Sequence, residues 1–132
     1  MRIKIIILWI ICIFSLSGCV PVRYTLKPGI STTIIDAQTK TPIENAIIKI
    51  YKNTESDKWI EIASEESDNK GQCLIKSKGK WGLHCLMMDS IVHKYAITIE
   101  KENYKKYTKE VYGTIATGPA IYKLEKIKLE KN

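Results

Sequence analysis

The chain has 132 residues, 45% hydrophobic, 27% charged and 8% aromatic, with 21 Lys and Arg against 14 Asp and Glu for a formal charge of +7. That length fits one domain and leaves no room for two. Ample apolar content with ordinary charge excludes wholesale disorder, collagen and multi-span membrane classes, and no low-complexity tract or internal repeat is present.

Arg2 and Lys4 open the chain, an unbroken apolar run follows from Ile5 to Phe14, and Ser15-Leu16-Ser17-Gly18-Cys19 closes the segment. A membrane-spanning helix needs about 20 apolar residues, whereas the core of a secretory signal needs about 7 to 15. The run has the shorter length and ends in small residues, not in a basic stop-transfer cluster. Leu16-Ser17-Gly18-Cys19 resembles the lipobox of bacterial lipoproteins. The resemblance implies that residues 1–18 are a signal peptide, that cleavage falls before Cys19, and that the Cys19 sulfur is diacylated. Two or three acyl chains, at about 0.8 kcal/mol per buried CH₂, hold a protein stably where one does not. An uncleaved anchor running on to Val22 is the rival reading, and Ser15, Ser17, Gly18 and Pro21 interrupt it. Val20 stands where lipoproteins retained at the inner membrane of enteric bacteria carry Asp, so the expected address is the outer membrane, facing the periplasm.

Residues 19–30, with Pro21, Pro28 and Gly29, read as a lipidated tether. Loss of Arg2 and Lys4 leaves 19 cations against 14 acids. These charges read as distributed. Lys76, Lys78 and Lys80 alternate, while Lys101, Lys105, Lys106 and Lys109 interleave with Glu102 and Glu110, as on a solvated face that also suits anionic lipid headgroups. A secreted address excludes nucleic acid as the partner.

Residues 31–132 read as short strands rich in Ile, Thr and Tyr, separated by turn formers. The predicted strands are Ser31–Asp36, Ala46–Lys52, Trp59–Ser64, Gln72–Ser77, Tyr95–Glu100, Tyr104–Tyr112 and Tyr122–Glu130. Ala46, Ile48 and Ile50 share one face, as do Tyr95, Ile97 and Ile99, and both sets belong in a core between sheets. Seven short strands at this spacing predict an all-β sandwich.

Asp36-x-x-Thr39-x-x-Pro42-Ile43-x-Asn45-Ala46, then Ser67-Asp68-x-x-Gly71-Gln72, then Tyr95-x-Ile97-x-Ile99 followed by Asn103-Tyr104, resemble in order and spacing the carboxypeptidase-regulatory-like, transthyretin-related domains. Asn103 stands where the family has Gly, and Asn is the best substitute where a positive φ is needed. The resemblance covers about residues 31–130. It implies a seven-stranded Greek-key β-sandwich and no particular activity, because the fold hosts many.

The stretch from Gly79 to His93 departs from that family. Cys73 and Cys85 are the two thiols left after Cys12 leaves with the signal and Cys19 becomes the anchor. In an oxidising compartment they are expected to pair, closing a loop worth roughly 3 kcal/mol. Trp81, Leu83 and Met87 form a candidate partner surface. Cys73, His84, Cys85, Met87, Met88 and His93 offer soft or borderline ligands for copper or zinc. However, His84 and Cys85 diverge in an extended segment, and no C-x-x-C or blue-copper spacing is present, so no metal and no cofactor is expected.

An inventory of catalytic groups is short. With His84 and His93 the only histidines and no G-x-S-x-G, a Ser-His-Asp arrangement lacks its frame. Arg23 is the sole arginine after residue 18, which removes bidentate anion clamps. The sequence reading is therefore a non-catalytic, lipid-anchored binding or scaffolding module of the cell envelope with a protein partner there. An immunity lipoprotein that neutralises an envelope-acting toxin is the first alternative, and copper or zinc handling through Cys73–His93 is the second.

Overall fold

The computed structural model describes residues 2–85, 92–114 and 121–132. The N-terminal apolar run forms α1 (Arg2–Ser17), with residues 2–13 exposed along it. At 1.5 Å per residue α1 is about 24 Å long, against a hydrocarbon layer of about 30 Å. Among the described residues no helix is long and apolar enough to cross a membrane.

Ten strands follow: β1 (Cys19–Lys27), β2 (Gly29–Asp36), β3 (Ile47–Asn53), β4 (Trp59–Glu66), β5 (Gln72–Ile75), β6 (Lys78–Cys85), β7 (Val92–Glu100), β8 (Tyr107–Thr114), β9 (Ile121–Lys123) and β10 (Ile127–Leu129). Six of the seven expected strands each fall on one of these, but the count of seven is corrected. The last expected strand is split into β9 and β10, and β1 and β6 are additional.

In the first sheet β2 is central. β5 runs antiparallel along one side of it, and β9 then β10 run parallel along the other. The second sheet is antiparallel throughout, in the order β4-β3-β7-β8. Alternation puts Ile30 and Ile34 of β2, Cys73 and Ile75 of β5, Ile48 and Ile50 of β3 and Ile97 and Ile99 of β7 in one buried cluster with Ile127 and Leu129. Each fully buried Ile or Leu contributes about 1.5–3 kcal/mol of transfer free energy. Both sheets therefore close on one core, and the chain is mostly β in a sandwich.

Local chemistry sets the turns. Ser67 is buried; its Oγ accepts the Ala46 N–H at 2.9 Å and donates to the Ile43 carbonyl at 2.8 Å. Asp68 Oδ1 accepts the Lys70 and Gln72 amides at 2.9 and 2.8 Å, folding the backbone back on itself. Gly71 completes the turn at φ +69, where an added Cβ would lie 2.3 Å from the Ile34 carbonyl oxygen. Asn103 holds φ 67, as the substitution of Asn for Gly predicted.

Residues 19–27, expected as a tether, are instead a paired strand. Ile30 stands opposite Ile75 in the β2–β5 ladder, and Lys27 stands opposite Lys78 in the β1–β6 ladder, so the second ladder prolongs the first in the same register. One bulge between Thr25 and Lys27 shifts the register by a single residue, and the pairing then runs to Cys19 opposite Cys85. A two-stranded arm thus extends from the first sheet. Gly29 lies at the junction, where an added Cβ would stand 2.6 Å from the Ile75 carbonyl oxygen. Pro21 fits because a strand with one neighbour leaves alternate N–H groups unpaired on its open edge.

Candidate functional site

Two places gather chemistry, the arm and a cleft at one end of the sandwich. Cys19 begins β1 at the distal end of the arm, directly after α1 and Gly18, which takes φ +60. The side chains of Cys19, His84 and Cys85 lie outside the described ones, and Met87 and Met88 lie outside the described residues. Trp81 and Leu83 are two residues apart on β6, hence on one face, and are 75% and 64% exposed. Their register partners on β1, Arg23 and Pro21, are exposed on that same face.

The expected Cys73–Cys85 bridge is corrected. Cys73 is a buried free thiol facing the core. It and Cys85 lie on the same extended course, β5 continuing as β6, with twelve residue steps between them. At about 3.3 Å per step the two Cα atoms are on the order of 40 Å apart along the ladder, whereas a disulfide spans about 7 Å at most. Burial, with the nearby charges of Glu65 and Asp68, pushes the Cys73 thiol up to about 11. Of the alternative metal-ligand set, only Cys73 and His93 have described side chains. Cys73 is in the first sheet's inner face and His93 is on β7 of the second sheet, and among the described residues no three His, Cys, Asp or Glu side chains group around a common point.

Lys76, Lys78 and Lys80 are exposed, as on the solvated face expected, and strand pairing adds to their company. Arg23, Lys27, Lys78 and Lys80 are more than fifty residues apart in sequence at their extremes, but pairing of β1 with β6 brings them into one arm that contains no acidic residue, with Lys76 just before β6. Together with Lys76, Arg2 and Lys4 they account for the whole +7, since the other fourteen cations equal the 14 acids in number. Within the sandwich the charges pair. Lys106 and Lys49 reach Glu100 at 2.7 and 3.3 Å, and Lys94 reaches Glu110 at 2.9 Å.

The cleft has a volume of about 640 Å³ and opens where the end of β3, the turn 54–56, β4 and the start of β7 meet. Along β7 the inward residues run Ile99, Ile97, Tyr95 and then His93, so the apolar core grades into an imidazole at the mouth. A β-bulge leaves Ile62 as the extra residue of β4 and keeps Ile60 paired opposite Lys52. His93 is half-buried and meets Tyr95 edge-on, with ring centroids 6.1 Å apart at 63°. Desolvation, reinforced by the Lys52 ammonium, holds its pKa below the usual imidazole value. Lys94 packs its ammonium over Trp59 at 5.5 Å and Tyr112 at 6.0 Å while paired with Glu110. The His93 imidazole, the Lys52 and Lys94 ammoniums, the Glu55 carboxylate and the apolar walls Ile60 and Ile62 line one concavity, which can receive a small ligand with both polar and apolar parts. Sequence reading singled out His93 only as a metal ligand, because the cleft is assembled from three strands and has no local signature.

No family model and no curated protein matches the sequence. Similar solved structures include 3-chlorocatechol 1,2-dioxygenase from Rhodococcus opacus 1CP, at 11% identity and a TM-score of 0.48, covering 83% of this chain and 61% of that one. They also include sea bream transthyretin in complex with thyroxine, at 15% identity and a TM-score of 0.45, covering 78% of this chain and 92% of that one. A further structure of transthyretin from Sparus aurata has 15% identity and a TM-score of 0.44, covering 78% and 93%. The exclusion of enzymes made from the sequence is corrected by the first of these, which shows an enzyme among the structures similar to this chain. At 11% identity the likeness transfers no active site. Transthyretins stand among the similar structures, and the mostly-β sandwich described above is the extent of that likeness.

Proposed function

We propose that the chain is a lipid-anchored binding module of the bacterial cell envelope, held at the outer membrane and facing the periplasm. The observation that carries this reading is the change of structure at Gly18: an exposed apolar helix ends at Ser17, and a strand begins at Cys19. That boundary coincides with the cleavage point of the lipobox-like Leu16-Ser17-Gly18-Cys19. Removal of α1 would leave Cys19 at the free end of the arm, with the sandwich at the other end. The finer architecture in this reading is the Greek-key sandwich of the carboxypeptidase-regulatory-like, transthyretin-related domains, supported by the Ser67–Gly71 turn and by Asn103. Tethering raises the effective concentration of the sandwich and its cleft toward any partner confined to the same membrane.

Intact-mass analysis of protein made in a bacterial host tests the anchor. The expected product begins at Cys19 and carries the added mass of two or three acyl chains; Cys19→Ser abolishes both the acyl mass and partition into detergent. A water-soluble, full-length product from the unaltered gene would sink the proposal.

A further inference from the structure

We infer that the β1–β6 arm is itself a membrane-binding element, which enters an anionic lipid surface by its Cys19 end with Trp81 at the level of the headgroups. The inference rests on the preceding reading only in placing Cys19 at the bilayer. The order of residues along the arm matches the polarity profile of a membrane surface. Counting from Cys19, the first rung with both side chains described is Pro21 opposite Leu83, the next is Arg23 opposite Trp81, and beyond these come Lys80 and then Lys27 opposite Lys78. At about 3.4 Å per residue the Leu83 rung is about 7 Å from Cys19 and the Trp81 rung about 14 Å. Pro21 and Leu83 therefore precede the Trp, Arg23 shares its rung, and Lys80, Lys78 and Lys27 follow it, with Leu26 among them. Trp is favoured at the membrane–water interface, where its ring is half-solvated, and long cationic side chains reach from there to phosphates.

Charge identifies the occupant. The arm holds four cations and no acid, Lys76 lies just before β6, and the residues beyond these and α1 are balanced in charge. A neutral bilayer has no use for such a concentration; an anionic one attracts it within a Debye length. An acidic protein would satisfy the charges but would not explain why Leu83 and Trp81 stand between the lysines and the end that α1 leaves. A leaflet of anionic lipid explains both. The arm then draws the sandwich toward the bilayer along a rigid ladder.

The test uses the full chain carrying Trp9→Phe and Trp59→Phe, so that Trp81 is the only fluorophore of its kind. It is reconstituted with vesicles of phosphatidylcholine alone or mixed with phosphatidylglycerol, each with and without lipids brominated near the headgroup. On vesicles containing phosphatidylglycerol, Trp81 emission shifts to the blue and is quenched by the bromines. Exchanging Lys76, Lys78 and Lys80 for Gln weakens that response about fivefold per charge at low salt. Emission from vesicle-bound chain that stays solvent-like and unquenched overturns the inference, and equal quenching on both vesicle types overturns the part assigned to the cations. The unsubstituted arm is read directly, so misfolding of an arm variant cannot mask the result. Lack of acyl mass on Cys19 would refute the anchor by a separate measurement, with Trp81 quenching still deciding the arm.

Discussion

The Tyr104 hydroxyl donates a 2.8 Å hydrogen bond to Oδ2 of Asp36, a residue 68 positions earlier in the chain. Oδ1 of the same carboxylate accepts the Gln38 and Thr39 amides at 2.8 and 2.9 Å, and Lys131 approaches Oδ2 to 3.7 Å. One carboxylate thus ties together the end of β2, the turn after it, the loop between β7 and β8 and the C-terminal residues.

These donors, led by the Thr39 amide and the Tyr104 hydroxyl, hold the Asp36 pKa well below the usual carboxylate range. A carboxylate with a depressed folded pKa stabilises the fold above its unfolded value of about 3.9, and that contribution is lost as pH falls toward the folded value. Tyr104→Phe is expected to lower the Tm by a few degrees at pH 7. Thermal melts from pH 7 to pH 2 should show a shallower acid loss in the variant than in the parent, because the folded pKa rises.

His93 predicts a second, separate pH window. Burial and Lys52 depress its folded pKa, so the unfolded chain binds the proton more tightly. The associated stability is present above about pH 6.5 and is lost as pH falls through the folded value. His93→Gln should flatten the stability profile in that window without changing it above pH 7. NMR titration of the His93 ring reads the depressed value directly.

Gly71→Ala is expected to cost about 1–3 kcal/mol through the left-handed backbone alone, and more because the new methyl would displace the Ile34 carbonyl. Denaturant melts should show a lower midpoint with an unchanged slope. Asn103→Gly, at a similar φ but without such a contact, should change stability by less than half as much.

The Cys73 thiol is buried and its pKa is raised, so thiolate is scarce at pH 8. Alkylation of native protein at pH 8 followed by peptide mapping should leave Cys73 unlabelled, and unfolding in denaturant under non-reducing conditions should label it fully. Non-reduced protein in which Cys73 is blocked even when unfolded would show it oxidised.

Thr98 is buried on β7, and its Oγ1 has no hydrogen-bond partner among the described residues. Thr98→Val preserves shape and removes an unsatisfied hydroxyl, so the variant should gain about 1 kcal/mol in chemical denaturation.

What the sequence discloses is what neighbouring residues decide. Ser67, Asp68 and Gly71 build their turn within five residues, and Asn103 declares a positive φ by its type. The inner faces of β3 and β7 follow from period-2 alternation at Ile48 and Ile50 and at Ile97 and Ile99. The arm was hidden because Pro21, Pro28, Gly79 and Gly82 read as breakers, and because its two strands lie more than fifty residues apart. The same separation disguised its charge as a diffuse scatter. The expected bridge failed because compartment predicts oxidation without geometry, and Cys73 and Cys85 follow one extended course. The cleft required Lys52, Ile60 and His93 from three strands, a juxtaposition that only pairing creates.

The continuation of the β1–β6 ladder into β2–β5, past one bulge at Thr25–Lys27, also has a mechanical consequence. Tension applied at Cys19 is directed along the strand axis into β2, which is flanked by β5 on one side and by β9 and β10 on the other. Such a load stretches many hydrogen bonds in shear at once, where a pull from a sheet edge would peel them one by one. The domain is therefore built to resist being torn from whatever holds its first strand.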